Sequence, residues 1–376
     1  IFCRMKKSIL LIALSLTTSV MTAQQNQVET DSTKTQTLDE VLVQSVRVKP
    51  NAPITHSNVT NAQLEPRNLG QDLPILLNYL PSVVTTSDAG AGIGYTGIRV
   101  RGVSPLSTNI TINGIPYTDA ESLGTFWVNL PDFSSSVESL QLQRGVGTST
   151  NGSGAFGASI NILTDASSDK SSAEISSAFG SYNTRKHTVK FSTGKLNDFF
   201  EVAGRLSQIK SDGYVDRAFS DLKSYFLQGT YNKNGTLIKA LAFGGHERTY
   251  QSWFGLTQDE LDQNRRQNPY TYENEIDNYK QDHYQLHWNQ KIDQNWSTNI
   301  GLNYTYGRGY FEQFRSDDDV STYGGIVEAT AVDIFGTEVT DLIRRRWLDN
   351  DYYVVNATAH YRDSEIDLTL GGSYST

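Results

Sequence analysis

The sequence predicts a mainly β protein, in which a small α/β domain precedes a transmembrane antiparallel β-barrel and lies inside it. Three observations lead to this fold class. From about residue 170, apolar and polar residues alternate with period two in several separate segments. The links between most of these segments run short, long, short, long. An export signal opens the chain.

The composition agrees with strands and turns and disfavours a nucleic-acid-binding protein. The 376 residues include 30 Gly, 20 Tyr and 15 Phe, and 19% of them are charged. Glycine favours turns, and aromatic residues favour strands over helices. The formal net charge is −9, and the longest basic cluster is Arg344-Arg345-Arg346. Polyanionic nucleic acid is therefore an unfavourable partner.

Residues 1–23 have the pattern of a cleaved secretory signal peptide. A basic start at Met5 is followed by an apolar run over residues 9–16 and by small or polar residues up to Ala23. The apolar run is shorter than the about 20 residues that a membrane-spanning helix needs. A buried N-terminal strand is the alternative. Residues 1–4 lie upstream of the expected start and hold the sole cysteine, so the exported protein is expected to have no disulfide.

Residues 24–50 are predicted to be a flexible leader that contains a strand-forming segment. Residues 24–37 are polar and have no apolar face, whereas residues 38–48, LDEVLVQSVRV, favour an extended chain. An extended segment on a flexible tether suits binding by strand addition to the edge of a partner's sheet. The alternative is that this segment forms the first strand of the next domain.

Residues 51–166 are predicted to form a compact α/β domain. A short helix is expected between the turn at Gly70 and Pro81. Glycine-rich or polar loops separate five short strand candidates. These candidates lie at residues 82–86, 98–102, 109–117, 139–145 and 158–165.

One loop of this domain, GAGIGYTG, carries the spacing G-x-G-x-x-G at Gly92, Gly94 and Gly97. In a dinucleotide-binding fold the third glycine opens a helix, and the N terminus of that helix holds the pyrophosphate. Here residues 98–102, IRVRG, favour a strand instead. We therefore interpret the glycines as a tight loop that permits close backbone approach, and not as a cofactor site.

Residues 167–376 are predicted to supply nine barrel strands. Leu286 and Trp288 are expected to face lipid, and His287 and Asn289 to line the lumen. Aromatic residues near strand ends, such as Trp296, fit interfacial girdles. The strands are expected near residues 172–180, 184–194, 198–210, 221–232, 236–247, 282–292, 296–309, 351–362 and 365–375.

The links between these strands distinguish a membrane barrel from a soluble β-sandwich, which also alternates. The short links are tight turns, whereas long loops are expected near residues 248–281 and 310–350. Long loops on one side only, together with an export signal, favour the barrel.

The expected size of the barrel exceeds the strands in this sequence. Nine strands cannot close a bacterial barrel, because such barrels have even strand numbers and tolerate no open edge in lipid. A domain of about 115 residues in the lumen requires about 22 strands. Such a barrel needs on the order of 500 residues after position 170. We therefore expect this sequence to be the N-terminal portion of a longer protein.

Four stretches resemble the TonB-dependent outer-membrane receptors. Residues 37–43, TLDEVLV, are similar to the TonB box, and residues 98–102 and 110–119 are similar to two strands of the plug domain. Residues 137–164 are similar to the final signature of the plug. The matching TonB-box residues are Leu38, Asp39, Glu40, Val41, Leu42 and Val43, and the matching plug residues are Arg101, Gly102, Arg144, Gly145, Gly152, Gly154, Gly157 and Asn161.

This sequence departs from the family pattern at three positions. Asn113 stands where Asp is commoner, Asn151 where an aromatic residue is usual, and Ala158 where a second glycine is usual. None of these changes is chemically drastic.

The resemblance implies a mechanism of active uptake across the outer membrane. A ligand binds at the outer apex of the plug, and this binding releases the TonB box into the periplasm. TonB, energised by ExbB and ExbD, then pairs with the box as an added strand and pulls the plug aside. Main-chain pairing requires strand propensity more than particular side chains.

The resemblance favours an iron–siderophore or another metal chelate as the cargo, with outer-membrane lipid around the barrel. Cobalamin, haem or an oligosaccharide is the alternative within the family. A surface adhesin or docking barrel without transport is the alternative of a different class. The residues contain no nucleophile–base arrangement and no zinc motif, so neither an enzyme nor a cofactor is expected.

The resemblance also implies which residues face the ligand and which hold the plug in place. Two plug loops, residues 87–96 and 119–127, are implied to face the ligand. Arg99, Arg101 and Arg144 are expected to pair with barrel carboxylates. The candidate ligand contacts are Ser87, Asp88, Tyr95, Thr96, Glu121, Ser122, Thr125, Phe126 and Trp127.

Two weaker patterns suggest metal binding. The acidic run at residues 316–319 lacks the spacing of a calcium cage, so a solvated acidic loop is the better interpretation. His283 and His287 lie on one face of a strand but too far apart to share a metal ion, and we expect them to line the lumen.

Overall fold

The structure is a computed structural model that describes residues 47–48, 53–119, 122, 124–147, 156–165 and 167–376. The predicted signal peptide, the TonB box and nearly all of the leader lie outside these residues. Glu121, Gly152 and Gly154 lie outside them as well. Among the described residues, no helix is long and apolar enough to cross a membrane.

The N-terminal part of the described chain is a small α/β domain. Its helices are α1 (Asn61–Leu64) and α2 (Leu73–Leu76), each a single turn. Its strands are β1 (His56–Thr60), β2 (Val83–Ser87), β3 (Thr96–Val100), β4 (Thr108–Ile112), β5 (Ile115–Pro116), β6 (Val137–Arg144) and β7 (Ala158–Thr164).

Five of these strands form a sheet in the order β1-β6-β7-β4-β5, and β2 and β3 form a separate hairpin. All pairs are antiparallel except β4 with β7. Every residue of β4 and β7 is buried, so these two strands form the centre of the domain. The apolar side chains of Ile110, Leu140 and Ile160 belong to its hydrophobic core.

The five strands predicted for this domain are present, but two elements differ from the prediction. The helix expected between Gly70 and Pro81 is only the single turn α2. Strand β1 was not predicted, because it is mostly polar. Val59 is its single buried residue, which leaves no alternation to detect.

The rest of the chain forms one large antiparallel sheet. The strands follow the order β8-β9-β10-β11-β12-β13-β14-β16, β17 pairs with β16 on the far side, and the short β15 also pairs with β16. The described strands do not close into a barrel. The elements are β8 (Ser172–Gly180), β9 (Thr184–Ser192), β10 (Phe200–Ser211), β11 (Ser220–Lys233), β12 (Thr236–Tyr250), α3 (Gln258–Gln263), β13 (Ile276–Lys291), β14 (Trp296–Asp319), β15 (Ala331–Val332), β16 (Glu338–Arg362) and β17 (Asp367–Ser375).

The sheet buries polar side chains and exposes apolar ones, which confirms the predicted barrel pattern. On β13, Leu286 and Trp288 are 44% and 40% exposed, whereas His287 and Asn289 are fully buried. The buried face packs against the α/β domain, as in the hydrogen bond from Asn356 Nδ2 to the Gly114 carbonyl (2.5 Å). The exposed apolar face is the surface that such a barrel presents to lipid.

The long loops of the sheet lie at one end, and both are shorter than predicted. The loop after β12 covers residues 251–275, and the one between β14 and β16 covers residues 320–337 and includes β15. The prediction of a loop over residues 310–350 was wrong, because β14 and β16 remain paired up to Asp319 and Val339. Charged residues in this part of the hairpin hide the period-two pattern.

Candidate ligand-binding site

The glycine-rich loop between β2 and β3 lies at the long-loop end of the sheet. Gly90, Gly92 and Gly94 have φ of 72°, 75° and 91°, a region that only glycine adopts readily. Gly97 is part of β3, so no helix follows the third glycine of the pattern. The loop closes through a hydrogen bond from the Asp88 amide to the carbonyl oxygen of Tyr95 (3.0 Å).

Asp72, which precedes α2, holds this loop from below. Its amide donates to the carbonyl oxygen of Gly92 (3.0 Å), and its Oδ2 accepts from Thr96 Oγ1 (3.0 Å). Burial raises the pKa of Asp72 to about 8, although the hydrogen bonds from Thr96 and the Gly94 backbone oppose the shift. Asp72 was not among the predicted site residues.

A cavity of about 340 Å³ lies above the loop, between the plug domain and the sheet. Carboxylates contribute part of its wall, and aromatic rings contribute most of the rest. The acidic residues are Asp88, Asp119, Glu247 and Asp277. The aromatic residues are Tyr95, Phe126, Trp253, Tyr279 and Phe311.

Tyr95 connects the plug loop to the sheet at the cavity. Its hydroxyl hydrogen-bonds to Asp277 and lies 3.5 Å from Glu247 Oε1. Its ring lies edge-on to Trp253, with the centroids 5.3 Å apart. Burial and the two neighbouring carboxylates raise the pKa of Tyr95 well above its usual range, so the hydroxyl stays protonated and acts as a donor.

The structure brings only some of the predicted ligand contacts to this cavity. Asp88, Tyr95 and Phe126 line it. Trp127 is 3% exposed and packs in the core of the plug domain.

The other predicted contacts hold the loops in place. Ser87 Oγ accepts from the Gly92 amide (2.9 Å), and Thr96 donates to Asp72. Ser122 donates from Oγ to Asp119 Oδ1 (2.8 Å). Thr125 donates from Oγ1 to the carbonyl oxygen of Tyr117 (3.4 Å).

The sheet contributes cavity residues that the sequence analysis missed. Glu247 lies near the end of β12, and Asp277 lies next to the start of β13. The predicted strand began at residue 282, so Asp277 fell inside a predicted loop. Asp277, Tyr279 and Gln281 alternate on the lumen-facing side of the strand. This alternation could have identified Asp277 if the predicted strand had begun earlier.

The residues that resemble the plug signature have structural positions. Gly145 has a φ of 91° and donates to the carbonyl oxygen of Gly157 (2.7 Å). A Cβ at Gly157 would lie 2.0 Å from Val103 Cγ2, so a side chain cannot fit there. Asn161 accepts from Thr111 Oγ1 (2.8 Å) between two strands. Arg101 and Gly102 form the turn after β3, with φ of 55° and 77°.

The described ion pairs between plug and sheet place the carboxylate on the plug and the cation on the sheet, and the pairs predicted for the plug arginines are not among them. Arg144 does not pair with a barrel carboxylate in the described structure. It donates to the carbonyl oxygen of Pro81 (2.9 Å) and to Ser57 Oγ (2.9 Å) within the plug. Arg99 and Arg101 are exposed.

Asp132 of the plug instead pairs with two sheet cations. It lies 2.6 Å from Lys186 Nζ and 3.3 Å from Arg205, and all three side chains are almost completely buried. Burial alone would raise the pKa of Asp132, but the two cations hold it well below its usual range. A buried acid between two cations anchors the plug to the inner face of the sheet.

The two weaker patterns have no metal-binding geometry. Among the described residues, no group of three or more His, Cys, Asp and Glu side chains could hold a metal ion. Asp318 pairs with Arg315 and Arg344 instead. His283 stacks on Phe243 with the centroids 4.8 Å apart and faces the lumen, as the sequence predicted for both histidines.

A small domain packed on the polar face of an antiparallel sheet whose other face is apolar is the architecture of a plug against a barrel wall. The family model of the TonB-dependent Receptor Plug Domain matches residues 48–159. Residues 48–159 are therefore similar to the plug domain of the TonB-dependent receptors, the family that the motifs indicated.

Two relatives and one solved structure illustrate the similarity. The vitamin B12 transporter BtuB of Vibrio vulnificus is 29% identical over 211 residues, which cover 56% of this chain and 33% of that protein. The probable TonB-dependent siderophore receptor PirA of Acinetobacter baumannii is 23% identical over 246 residues, 61% of this chain and 30% of that protein. The chain therefore spans about a third of the length of these relatives.

Among solved structures, the ferric-catecholate import receptor Fiu from E. coli K12, in an open form, has the same fold. Its TM-score is 0.61 at 14% identity, over 86% of this chain and 49% of that one.

Proposed function

We propose that this protein is an outer-membrane receptor for TonB-dependent uptake of a scarce small molecule, most favourably an iron–siderophore or another metal chelate. The cavity carries the proposal, because two plug loops and the sheet build it jointly at the long-loop end. A ligand bound there contacts the element that must move for transport. The names of the relatives support a small-molecule cargo, since one is a vitamin B12 transporter and another a probable siderophore receptor.

In this proposal the long loops face the outside of a Gram-negative cell, and the signal peptide directs export. TonB, energised by ExbB and ExbD, binds the TonB box at residues 37–43 and withdraws the plug. The cavity serves as the recognition site, and Tyr95 communicates its occupancy to the plug through the loop that Asp72 holds.

Gene deletion tests the proposal. A deletion strain and its complemented parent are compared for uptake of labelled ferric chelates, haem, cobalamin and oligosaccharides, with and without TonB. We expect deletion to abolish TonB-dependent uptake of one of these classes. Unchanged uptake of all of them, or uptake that does not need TonB, would favour an adhesin or docking barrel.

The substitution Tyr95→Ala tests the site within the same assay. It removes the ring that faces Trp253 and the hydroxyl that bonds Asp277. We expect affinity for the transported cargo to fall at least about tenfold, while the amount of folded protein in the membrane is unchanged. Tyr182→Ala is the matched control, because Tyr182 lies in a turn of the sheet outside the cavity. Equal loss of binding in both variants would contradict the assignment.

A further inference from the structure

In the described part of the chain, the ionisable side chains of the cavity wall include carboxylic acids but no base. Four carboxylates line it, whereas no lysine or arginine among the described residues does. Asp88 and Asp119 come from the plug, and Glu247 and Asp277 come from the sheet. The wall is therefore acidic, and a positive charge placed beside it would favour the ionised form of its carboxyl groups.

The two sheet carboxylates are buried and share one partner. Glu247 is 2% exposed and Asp277 is 5% exposed, and both approach the hydroxyl of Tyr95. Thr249 donates to the second oxygen of Glu247 (3.0 Å), but Oδ1 of Asp277 is buried without a hydrogen-bond partner among the described residues. A buried carboxylate with an unused oxygen is costly unless a donor or a cation reaches it.

Aromatic rings line the cavity beside these carboxylates. Trp253 lies edge-on to Tyr95 and to Phe311, with centroid distances of 5.3 and 5.6 Å. Its indole Nε1 is buried without a hydrogen-bond partner among the described residues. Arg346, which does not line the cavity, lies over the Phe311 ring, 5.6 Å from its centroid. Rings beside carboxylates are the usual surroundings of a bound organic cation.

We infer that this cavity holds a positively charged organic group of the cargo, of the alkylammonium class, against the Glu247–Asp277 pair and the aromatic rings beside it. This inference rests on the proposed function and specifies its substrate class. A bare metal ion fits less well, because no described cluster supplies three ligands of the usual kinds. An anionic group would meet these acidic side chains, so a cationic group is the part of the cargo that this cavity suits.

A pair of probes that differ only in charge tests the inference. Choline carries a quaternary ammonium group, and 3,3-dimethylbutan-1-ol is its neutral isostere. Binding of each is measured by titration calorimetry and saturation-transfer NMR on the purified protein in detergent. We expect choline to bind at least about tenfold more tightly, because both the carboxylates and the rings act on its charge. Equal affinity, or no binding of either probe, overturns the inference.

Isosteric substitutions assign the preference to the two carboxylates. The double variant Glu247→Gln with Asp277→Asn removes both charges and is expected to bind the two probes equally. The control is Asp216→Asn, which removes a carboxylate from another loop, where it pairs with Arg266 outside the cavity. A preference that survives in the double variant overturns the assignment. The probe comparison on the unmodified protein stands even if the double variant does not fold.

The transport proposal and the charge inference fail in different ways. If the isostere binds as well as choline while gene deletion still abolishes chelate uptake, the charge inference fails and the transport proposal stands. If deletion leaves all uptake unchanged, the transport proposal fails whatever the probes show.

Discussion

At the scale of single residues, the plug depends on two buried aspartates with opposite electrostatics. Asp72 has no described cation beside it, and burial raises its pKa to about 8. Asp132 lies between Lys186 and Arg205, and its pKa is held low. The first residue is therefore most stable as a neutral acid, whereas the second must be ionised.

The raised pKa of Asp72 predicts that the free energy of unfolding falls as the pH rises. The Asp72 carboxyl loses its proton near pH 3.8 in the unfolded chain but keeps it up to about pH 8 in the folded chain. The folded state thus binds more protons between these values, and the free energy of unfolding falls by at most about 1.4 kcal/mol per pH unit. Urea unfolding of the wild type and Asp72→Asn at pH 5 and pH 8 measures this slope. The variant, which mimics the neutral acid, is expected to have a smaller slope, and identical slopes would refute the assignment.

Asp132→Asn predicts a large loss of stability. The substitution leaves Lys186 and Arg205 buried without their counter-charge, which costs about 3–5 kcal/mol. Asp165→Asn is the control, because its pair with Lys190 is partly exposed and is worth about 1 kcal/mol or less. Urea unfolding at pH 7 compares the two variants. Similar costs for both would mean that the buried cluster does not anchor the plug.

At the scale of elements, strand β12 contacts the plug through a close approach between the two backbones at Gly245. A Cβ at Gly245 would lie 2.5 Å from the carbonyl oxygen of Asn129 and 2.6 Å from Pro131 Cδ. Asn129 also lines the cavity, so this contact connects the strand with the candidate site. The close approach requires a residue without a side chain.

Gly245→Ala is therefore expected to loosen the plug. The added methyl must push back plug backbone, at a cost of about 1–3 kcal/mol. Gly229→Ala is the matched control, because a Cβ at Gly229 has no atom within 4 Å. Limited proteolysis of the plug and thermal unfolding compare the two variants. Equal proteolysis and equal thermal stability of the two variants would show that the contact between β12 and the plug accommodates a methyl group without strain.

Elements with a regular local pattern were predictable from the sequence. The alternation of Leu286 and Trp288 with His287 and Asn289 fixed both the strand and its two faces, since period two leaves no other assignment. The hairpin formed by β14 and β16 was predicted too short, because residues near Arg344 are charged on both faces. The glycine loop was recognised as a loop, since no helix could follow it.

The candidate site was predictable only on the plug side. Tyr95 and Phe126 stand in recognisable loops, and the structure places both at the cavity. Glu247 and Asp277 are about 30 residues apart in sequence, and only the register of β12 and β13, which sets Glu247 opposite Tyr279 and Asp277 opposite Thr249, brings them to one hydroxyl. Asp132 is separated from its partners Lys186 and Arg205 by even more residues. Such contacts depend on strand register between distant segments, which a local pattern does not specify.

At the scale of the whole molecule, the proposed function separates recognition at the cavity from energy input at the TonB box. The cavity lies at the long-loop end, and the resemblance places the TonB box at residues 37–43, outside the described residues. Under the proposed function, binding and uptake are therefore separable properties. A change confined to the TonB box affects transport alone.

Leu42→Pro tests this separation. Proline removes a main-chain donor and resists pairing within a sheet, so strand addition by TonB is expected to fail. Uptake of the transported cargo should drop to the level of a strain without TonB, while affinity of the purified protein for that cargo stays within about twofold of wild type. Leu42→Ala is the control, because it shortens the side chain but keeps the main-chain donor, and it should retain most uptake. Normal uptake by Leu42→Pro would show that residues 37–43 are not the segment that TonB binds.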